Sequence, residues 1–537
     1  MCGIFAILNS TKSPTQLREA GLQASRLLRH RGPDWNGMVI GQHYVMVHER
    51  LAIMDPLSGK QPFVTDEYIL TVNGEIYNYY DLINDDFEYK TNSDCEVILS
   101  EFDMSGLDFI NKIDGVYAFV LKYAPNKYII ARDSIGVVPL YWGKGVDGSI
   151  MVASEMKALG EAYGVRQFPP GMLCHITPNT SPQMIDIKVL KPHEGKFYTA
   201  IDLIKPCLYE AVKKRLMTHV PWGILLSGGL DSSCIAAIAA GLVVDPKTVK
   251  TFSIGLEGSP DLKAAAIVAK HIGSTHYEFT YTIREGLNAL EDVIYHLESY
   301  DITTIRASIP MYLMARKIRS LGIKMVLSGE GADEIFGGYL YFHDAPNEKA
   351  FFDELKLKLH NLHYYDCLRA NKSMAAWGVE VRVPFLDTDF LNLIMEWDTK
   401  AKMPKNNVKK IEKWLLRKAM VGTLPSTIMW RQKEQFSDGV GYGWIDALKE
   451  TADNTISNKA FAIRKDLFPV NTPKTKEGFL YRSIFEKMFK MSGAVDSVKY
   501  EDTVACSSAN ALKWIPHSVN NTDASGRSVA VHNNNSI

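Results

Sequence analysis

A short apolar strand that runs straight into a glycine turn and then a helix leaves a chain few architectures. Trp222–Leu226 is such a strand, and it enters Ser227-Gly228-Gly229-Leu230-Asp231-Ser232-Ser233, with a helix beginning near Ser232. Backbone N–H groups at such a turn, aided by the helix dipole, form a cradle for an anion. Two more short apolar strands, Thr251–Ile254 and Lys324–Leu327, alternate with helical stretches. Strands alternating with helices predict a parallel sheet with crossovers from about Lys196 onward. The helix Asp261–Ile272 is signalled by Ser259-Pro260 before it and Gly273 after it. From about Tyr339 to Phe489 the pattern is mainly helical.

The first part of the chain has a different texture. Val45–Val47, Tyr68–Val72, Val116–Tyr123 and Tyr128–Ala131 are short β-branched and aromatic runs, separated by Gly, Pro, Asn and Asp. Helices are expected at Thr15–Arg29 and at Asp94–Met104, the second capped by Ser93 or Asp94. This is an α+β pattern. The 537 residues therefore divide into an α+β domain at 1–190, an α/β domain at 195–500 and a tail at 501–537. The tail holds six Asn and six Ser in 37 residues, a composition that predicts mobility.

Composition narrows the class. Sixty Lys+Arg against 61 Asp+Glu leave a net charge of −1, with no sign of a nucleic-acid groove. The apolar stretch Cys234–Val244 is too short to span a bilayer, and no basic region precedes the apolar stretch Ile4–Leu8. The seven cysteines are odd in number, widely spaced and never CxxC, so neither a disulfide framework nor a zinc site is suggested. The expectation is a cytoplasmic protein with no nucleic-acid or membrane partner.

Cys2 is the first chemical feature. Loss of Met1 would place a thiol and a free α-amine on one residue, and an α-amine with a pKa of about 8 can serve as base to the thiol. Polar clusters end several elements: Arg29–Asp34, His48–Leu51, Asn73–Asn78 and Ser93–Glu96. They supply what amide hydrolysis needs. Asn73 and the Gly74 N–H can donate to an oxyanion, Arg50 can pair with an α-carboxylate, and Glu75 and Asp94 can hold an α-ammonium. Taken alone, each cluster reads as a turn or a cap, and His30 as a solvated or core histidine.

The second feature is the glycine loop. The GxxxxGK[ST] spacing with its lysine is absent, and so is GxGxxG. Ser328-Gly329-Glu330-Gly331-Ala332-Asp333-Glu334 follows the strand Lys324–Leu327, at the strand end where open α/β sheets bind ligands. Asp231 and Asp333 are candidates to hold Mg²⁺ through oxygen. Arg306 and Lys433 are cations suited to pyrophosphate, although surface charge is the plain alternative for either.

Taken together, these motifs carry a resemblance. Cys2-Gly3-Ile4-Phe5, Arg29–Asp34, His48–Leu51, Asn73–Asn78 and Ser93–Cys95 resemble the glutaminase domain of N-terminal-nucleophile amidotransferases, which implies an α+β fold of layered antiparallel sheets with helices. The Ser-Gly-Gly-x-Asp-Ser loop resembles that of enzymes cleaving ATP to AMP and pyrophosphate. Both on one chain, with the strings Asp301–Ala307, Ser328–Tyr339, Ala375–Glu380, Arg382–Asp387 and Trp430–Tyr442, resemble the glutamine-dependent asparagine synthetases. The resemblance implies that Cys2 attacks glutamine, with Asn73 and Gly74 as the oxyanion hole. Arg50, Leu51, Ala52, Ile53, Met54, Asn73, Gly74, Glu75 and Asp94 would bind glutamine. Leu225, Ile254, Ser328 and Gly329 would contact ATP, and Ser227, Gly228, Gly229, Asp231 and Ser232 its pyrophosphate. Glu330 would form a β-aspartyl-AMP intermediate and deprotonate incoming ammonium. Mg²⁺ with ATP as cosubstrate, no organic prosthetic group, a homodimer and an internal ammonia channel are also implied. A β-lactam-forming synthetase shares the plan but lacks the cysteine. A glutaminase joined to a sugar-phosphate enzyme would lack Ser227–Ser232. A non-catalytic relative should have lost Cys2, Asp231 or Glu330.

Overall fold

The computed structural model describes residues 1–178, 180–187, 200–500 and 506–514. Its first part is built on two six-stranded antiparallel sheets. One sheet runs Tyr163–Gln167, Tyr141–Lys144, Ile150–Ala153, Gly3–Leu8, Val45–Arg50, Trp35–Ile40; the other runs Gln183–Asp186, Met172–Ile176, Lys127–Arg132, Gly115–Ala124, Ile69–Ile76, Phe63–Val64. The expected strands are all present and reach further, to Arg50 and to Ile76, which carries Asn73–Glu75 inside the sheet.

The strand Gly3–Leu8 explains why the chain starts with an unbroken apolar run. Alternate residues of a strand point to opposite faces. Ile4, Ala6 and Leu8 pack with Ala118, Val120 and Ile130 of the second sheet. Phe5 and Ile7 pack with Leu17, Ala24 and Leu28 of the helix Pro14–Leu28. With both faces covered, no position tolerates a polar residue. The outer face of the second sheet takes the helix Val97–Ser105 through Val97, Ile98 and Phe102. The layers run helix, sheet, sheet, helix.

The second part holds a parallel five-stranded sheet in the order Thr275–Thr280, Lys250–Gly255, Trp222–Leu225, Met325–Leu327, Glu380–Arg382. The three expected strands form its centre. The helix Pro260–Ile272 ends at Gly273, which adopts φ +74° and donates its N–H to Ala269. The edge strand Glu380–Arg382 lies inside the region expected to be helical, and three residues are too few to register as a periodic pattern. Ser93 makes no capping bond; Asp94 instead accepts the Ile76 N–H at 2.8 Å, because its buried carboxylate is drawn into the sheet rather than to the helix end.

The expected boundary between the first two domains, at 190–195, lies outside the described residues, as do 501–505 and 515–537 of the tail. Within the tail, Ser508 donates its hydroxyl to Glu354 at 2.6 Å, and Ala511 packs with Tyr341 and Phe342. Among the described residues no helix is long and apolar enough to cross a membrane.

The helix over the first sheet gives a stability test. Leu28→Ala empties a fully buried position and should cost about 2–5 kcal/mol. Ser13→Ala removes only an exposed capping box and should cost about 1 kcal/mol. Thermal unfolding of the two variants should rank them in that order.

Candidate active sites

The first site gathers at the end of the strand Gly3–Leu8. Cys2 Sγ accepts the Leu51 N–H at 3.4 Å, and the Cys2 N–H donates to Asn73 Oδ1 at 2.7 Å. Asn73 is fully buried and its Nδ2 has no protein partner, so an amide donor is held beside the thiol with nothing to bond. Burial pushes the thiol pKa up; the chain-end ammonium and the Leu51 N–H oppose this. The thiol therefore needs a base. His48 does not supply one: its Nδ1 pairs with Thr71 Oγ1 at 3.0 Å, and burial pulls its pKa down to about 3. His30 lies 3.1 Å from Glu155.

The expected glutamine-contacting residues converge here. Arg50 Nη2 donates to the Met54 and Asp55 carbonyls at 3.0 and 2.5 Å. Leu51, Ala52, Ile53 and Met54 form the segment between them, and all four are buried. Glu75 and Asp94 are buried carboxylates. Burial raises both pKa values, that of Asp94 to about 6, against the pull of Arg382 on Glu75 and of the Ile76 N–H on Asp94. Gly74 has no room for a side chain, since a Cβ would lie 2.2 Å from the Val116 carbonyl.

The second site is a cavity of about 200 Å³ at the C-terminal ends of the parallel strands. Leu225, Ser227, Gly229, Asp231, Ser232, Ile254, Ser328, Gly329, Glu330, Asp333 and Lys433 all line it. Gly228 sits behind the loop at φ +74°, where a Cβ would meet the Ala264–Ala265 backbone at 2.4 Å. The turn can therefore lie flat on the neighbouring helix only as glycine. Arg306 is not in the cavity wall: its guanidinium is 3% exposed and donates to Glu477 at 2.8 and 2.6 Å.

A row of opposite charges crosses this cavity. Lys413 Nζ lies 2.5 Å from Asp231 and 2.6 Å from Asp333, and Lys433 Nζ lies 2.5 Å from Asp333. Burial opposes ionisation of Asp333, yet the two lysines hold its pKa below the usual range. Asp231 Oδ1 is buried without a hydrogen-bond donor. Two carboxylates, one with an orphaned oxygen, fit a hard cation such as Mg²⁺. Among the described residues no three His, Cys, Asp or Glu side chains close around one point, so further ligands would come from phosphate and water. Glu330 faces Arg369 at 2.9 Å, and burial lifts its pKa to about 7 against that cation.

Comparison with known proteins bears on both sites. Residues 1–222 match the family model described as a glutamine amidotransferase domain, and 203–356 with 346–515 match asparagine synthase. The chain is 48% identical to asparagine synthetase [glutamine-hydrolyzing] 1 of Arabidopsis thaliana, over 99% of this chain and 94% of that one. It is 47% identical to asparagine synthetase B [glutamine-hydrolyzing] of Escherichia coli (strain K12), over 99% of both. The chain belongs to the glutamine-hydrolysing asparagine synthetases. It is a carbon–nitrogen ligase of that family.

Several residues of this synthetase's sites escape sequence reading. Lys413, Arg369 and Asp366 line the second cavity, and Glu380 and Arg382 reach the first site from the far sheet. Glu380 and Arg382 stand within strings quoted for the resemblance, but nothing in a sequence says that a three-residue strand will aim at a distant cysteine. Lys413 sits in a lysine-rich stretch that reads as surface.

The raised pKa of Glu330 has a sign that can be checked. Between about pH 4.5 and 7 the folded chain keeps a proton there that the unfolded chain has lost, so this group makes stability fall as pH rises through that window. Glu330→Gln should flatten the fall of the thermal midpoint between about pH 5 and 7. An unchanged slope would return Glu330 to the ordinary carboxylate range.

Proposed function

We propose that the Cys2 site hydrolyses glutamine and that the cavity under the glycine loop activates aspartate with ATP. The enzyme makes L-asparagine from L-aspartate, with ATP and with nitrogen from glutamine. The observation that carries the site assignment is Asn73, whose Oδ1 fixes Cys2 while its buried Nδ2 has no partner.

In the first step the Cys2 thiol gives its proton to the α-amine freed by loss of Met1. The sulfur attacks the side-chain amide carbon of glutamine. The carbonyl oxygen takes up negative charge and meets Asn73 Nδ2 and the Gly74 N–H. The C–N bond breaks as the amine returns the proton to the leaving ammonia, and water then cleaves the thioester to glutamate. Arg50 pairs with the α-carboxylate, and Glu75 with Asp94 takes the α-ammonium, while Leu51–Met54 close the wall.

In the second site the aspartate side-chain carboxylate attacks the α-phosphorus of ATP. Pyrophosphate leaves toward Ser227–Ser232, Lys413 and Lys433, and Leu225, Ile254, Ser328 and Gly329 hold the nucleotide. Arg306, paired with Glu477, stands apart from this wall, and Thr303 and Thr304 of the same helix line it. Asp231 and Asp333 would hold Mg²⁺, which when bound offsets phosphate charge. Ammonia then attacks β-aspartyl-AMP, AMP leaves, and Glu330 accepts the excess proton. A pKa near 7 suits that exchange.

Passage of ammonia between the sites is supported by the helix Asp366–Ala375. Its Arg369 meets Glu330, and its Asn371 accepts from Arg31, which also donates to the Cys2 carbonyl at 2.9 Å. Seven free cysteines suit a reducing, cytoplasmic setting, and a homodimer is the assembly the resemblance implies.

Cys2→Ala should abolish glutamine-dependent synthesis and leave ammonia-dependent synthesis intact; loss of both would argue against separate sites. Glu330→Ala should stop pyrophosphate release that depends on aspartate. With glutamine, aspartate and ATP, the products should be asparagine, glutamate, AMP and pyrophosphate, and ADP would exclude the adenylate.

A further inference from the structure

We propose that Asp55 is a positioning residue for the glutamine reaction, fastening two parts of the glutamine subsite, and the chain leading into the parallel sheet, at one backbone corner. The inference rests on the reading of Arg50 and Asp94 as glutamine contacts.

Asp55 is buried and adopts φ +45°, in the left-handed region. Each of its polar groups is committed. The carbonyl accepts from Arg50 Nη2 at 2.5 Å, beside the Met54 carbonyl at 3.0 Å. Two acceptors on one nitrogen fix the plane of the guanidinium. Gly59 packs against the same nitrogen, where a Cβ would come within 2.5 Å. The carboxylate accepts the Ser58 N–H at 3.1 Å, the Ser58 hydroxyl at 2.5 Å and the Asn92 N–H at 2.9 Å. Asn92 lies two residues before Asp94, so the Asp55 carboxylate joins the Arg50 segment to the Asp94 segment. The Asp55 N–H donates to His219 Nδ1 at 3.0 Å, and the His219 N–H donates to the Ile53 carbonyl at 3.2 Å. That pair ties the corner to the chain leading into the parallel sheet.

Burial works against ionisation of Asp55, but the Ser58 hydroxyl, the Asn92 and Ser58 N–H groups and Arg50 together hold its pKa below the ordinary value. It stays an anion, and an anion is the acceptor that two backbone N–H groups and a hydroxyl need at one point. Aspartate also tolerates the left-handed backbone. Glycine would tolerate it too, which separates the carboxylate's role from the turn's.

The test uses the full-length enzyme with glutamine and, separately, ammonium as nitrogen donor. Asp55→Gly keeps the backbone corner and deletes the carboxylate. It should raise KM for glutamine about tenfold or more, the scale of one lost charge-assisted hydrogen bond. Its kcat at saturating glutamine and its ammonium-dependent rate should stay within about twofold. Asp55→Asn keeps shape and one acceptor and should give an intermediate KM. A wild-type KM in Asp55→Gly overturns the proposal, and so does a parallel loss of the ammonium-dependent rate, which would mark Asp55 as a general folding residue. Arg50→Ala tests the reading beneath: an unchanged glutamine KM there removes Arg50 as a contact whatever Asp55→Gly shows.

Discussion

Arg382 is the residue through which the two halves hold each other. Its carbonyl accepts the Ser328 N–H at 2.9 Å, at the rim of the ATP-side cavity. Its guanidinium points the other way. Nε donates to Glu380 at 2.7 Å, Nη1 to the Arg215 and Met217 carbonyls at 3.0 and 2.5 Å, and Nη2 lies 3.0 Å from Glu75. Burial opposes the cation, but Glu75 and Glu380 raise its pKa. A buried charge is tolerable only with its partners in place, and removing one leaves the others uncompensated. On the proposed reading Glu75 is a glutamine contact, and Glu380 also meets the Met1 ammonium at 2.8 Å. Separating the halves would leave Glu75 buried without its cation and Arg382 with Glu380 as its one carboxylate partner.

A second set of buried charges makes the docking rigid rather than merely tight. Glu298 adopts φ +56°, and from that corner its carboxylate accepts the Met156 and Lys157 N–H groups at 2.8 and 2.7 Å and meets Lys372 at 2.6 Å. Lys372 follows Asn371 on the helix Asp366–Ala375, three residues from Arg369. One short helix therefore touches Glu330, the Arg31 that holds Cys2, and the Glu298 corner. A displacement of that helix would move all three together.

What the sequence made legible follows from where the chemistry is local. The glycine loop, Ser328–Glu334 and Cys2 each sit at the end of a strand, so motif and element coincide and the nearby chain names the site. The strands of the first half were equally readable, because β-branched runs alternate with turn residues, but their pairing into two antiparallel sheets rests on distant contacts and was implied only by the resemblance. Arg382, Lys413 and Asp55 were not readable, since each acts on a partner brought close only by the tertiary fold. Lys413 adopts a left-handed backbone at φ +57°, which no local pattern announces. Arg306 shows the opposite error. A cation in a motif was expected at phosphate, but a buried glutamate 171 residues away takes the Nε–Nη2 edge of its guanidinium in a bidentate pair.

The charge balance of the glutamine site also bears on direction. On the proposed reading, glutamine enters as a zwitterion, its ammonium facing Glu75 and Asp94 and its carboxylate facing Arg50. The site gains one charge of each sign, each opposite a partner. Hydrolysis changes that balance, because glutamate carries a second carboxylate. Asp94 already has a pKa near 6 through burial, so the environment penalises further negative charge. The product that remains is thus less well matched than the substrate that entered. Ammonia leaves uncharged, and a neutral molecule meets no ionic desolvation cost in a low-dielectric interior. On the proposed reading, the same low dielectric that makes Arg382 indispensable as a partner favours release of glutamate to water, while ammonia carries no charge that would exclude it from the protein interior.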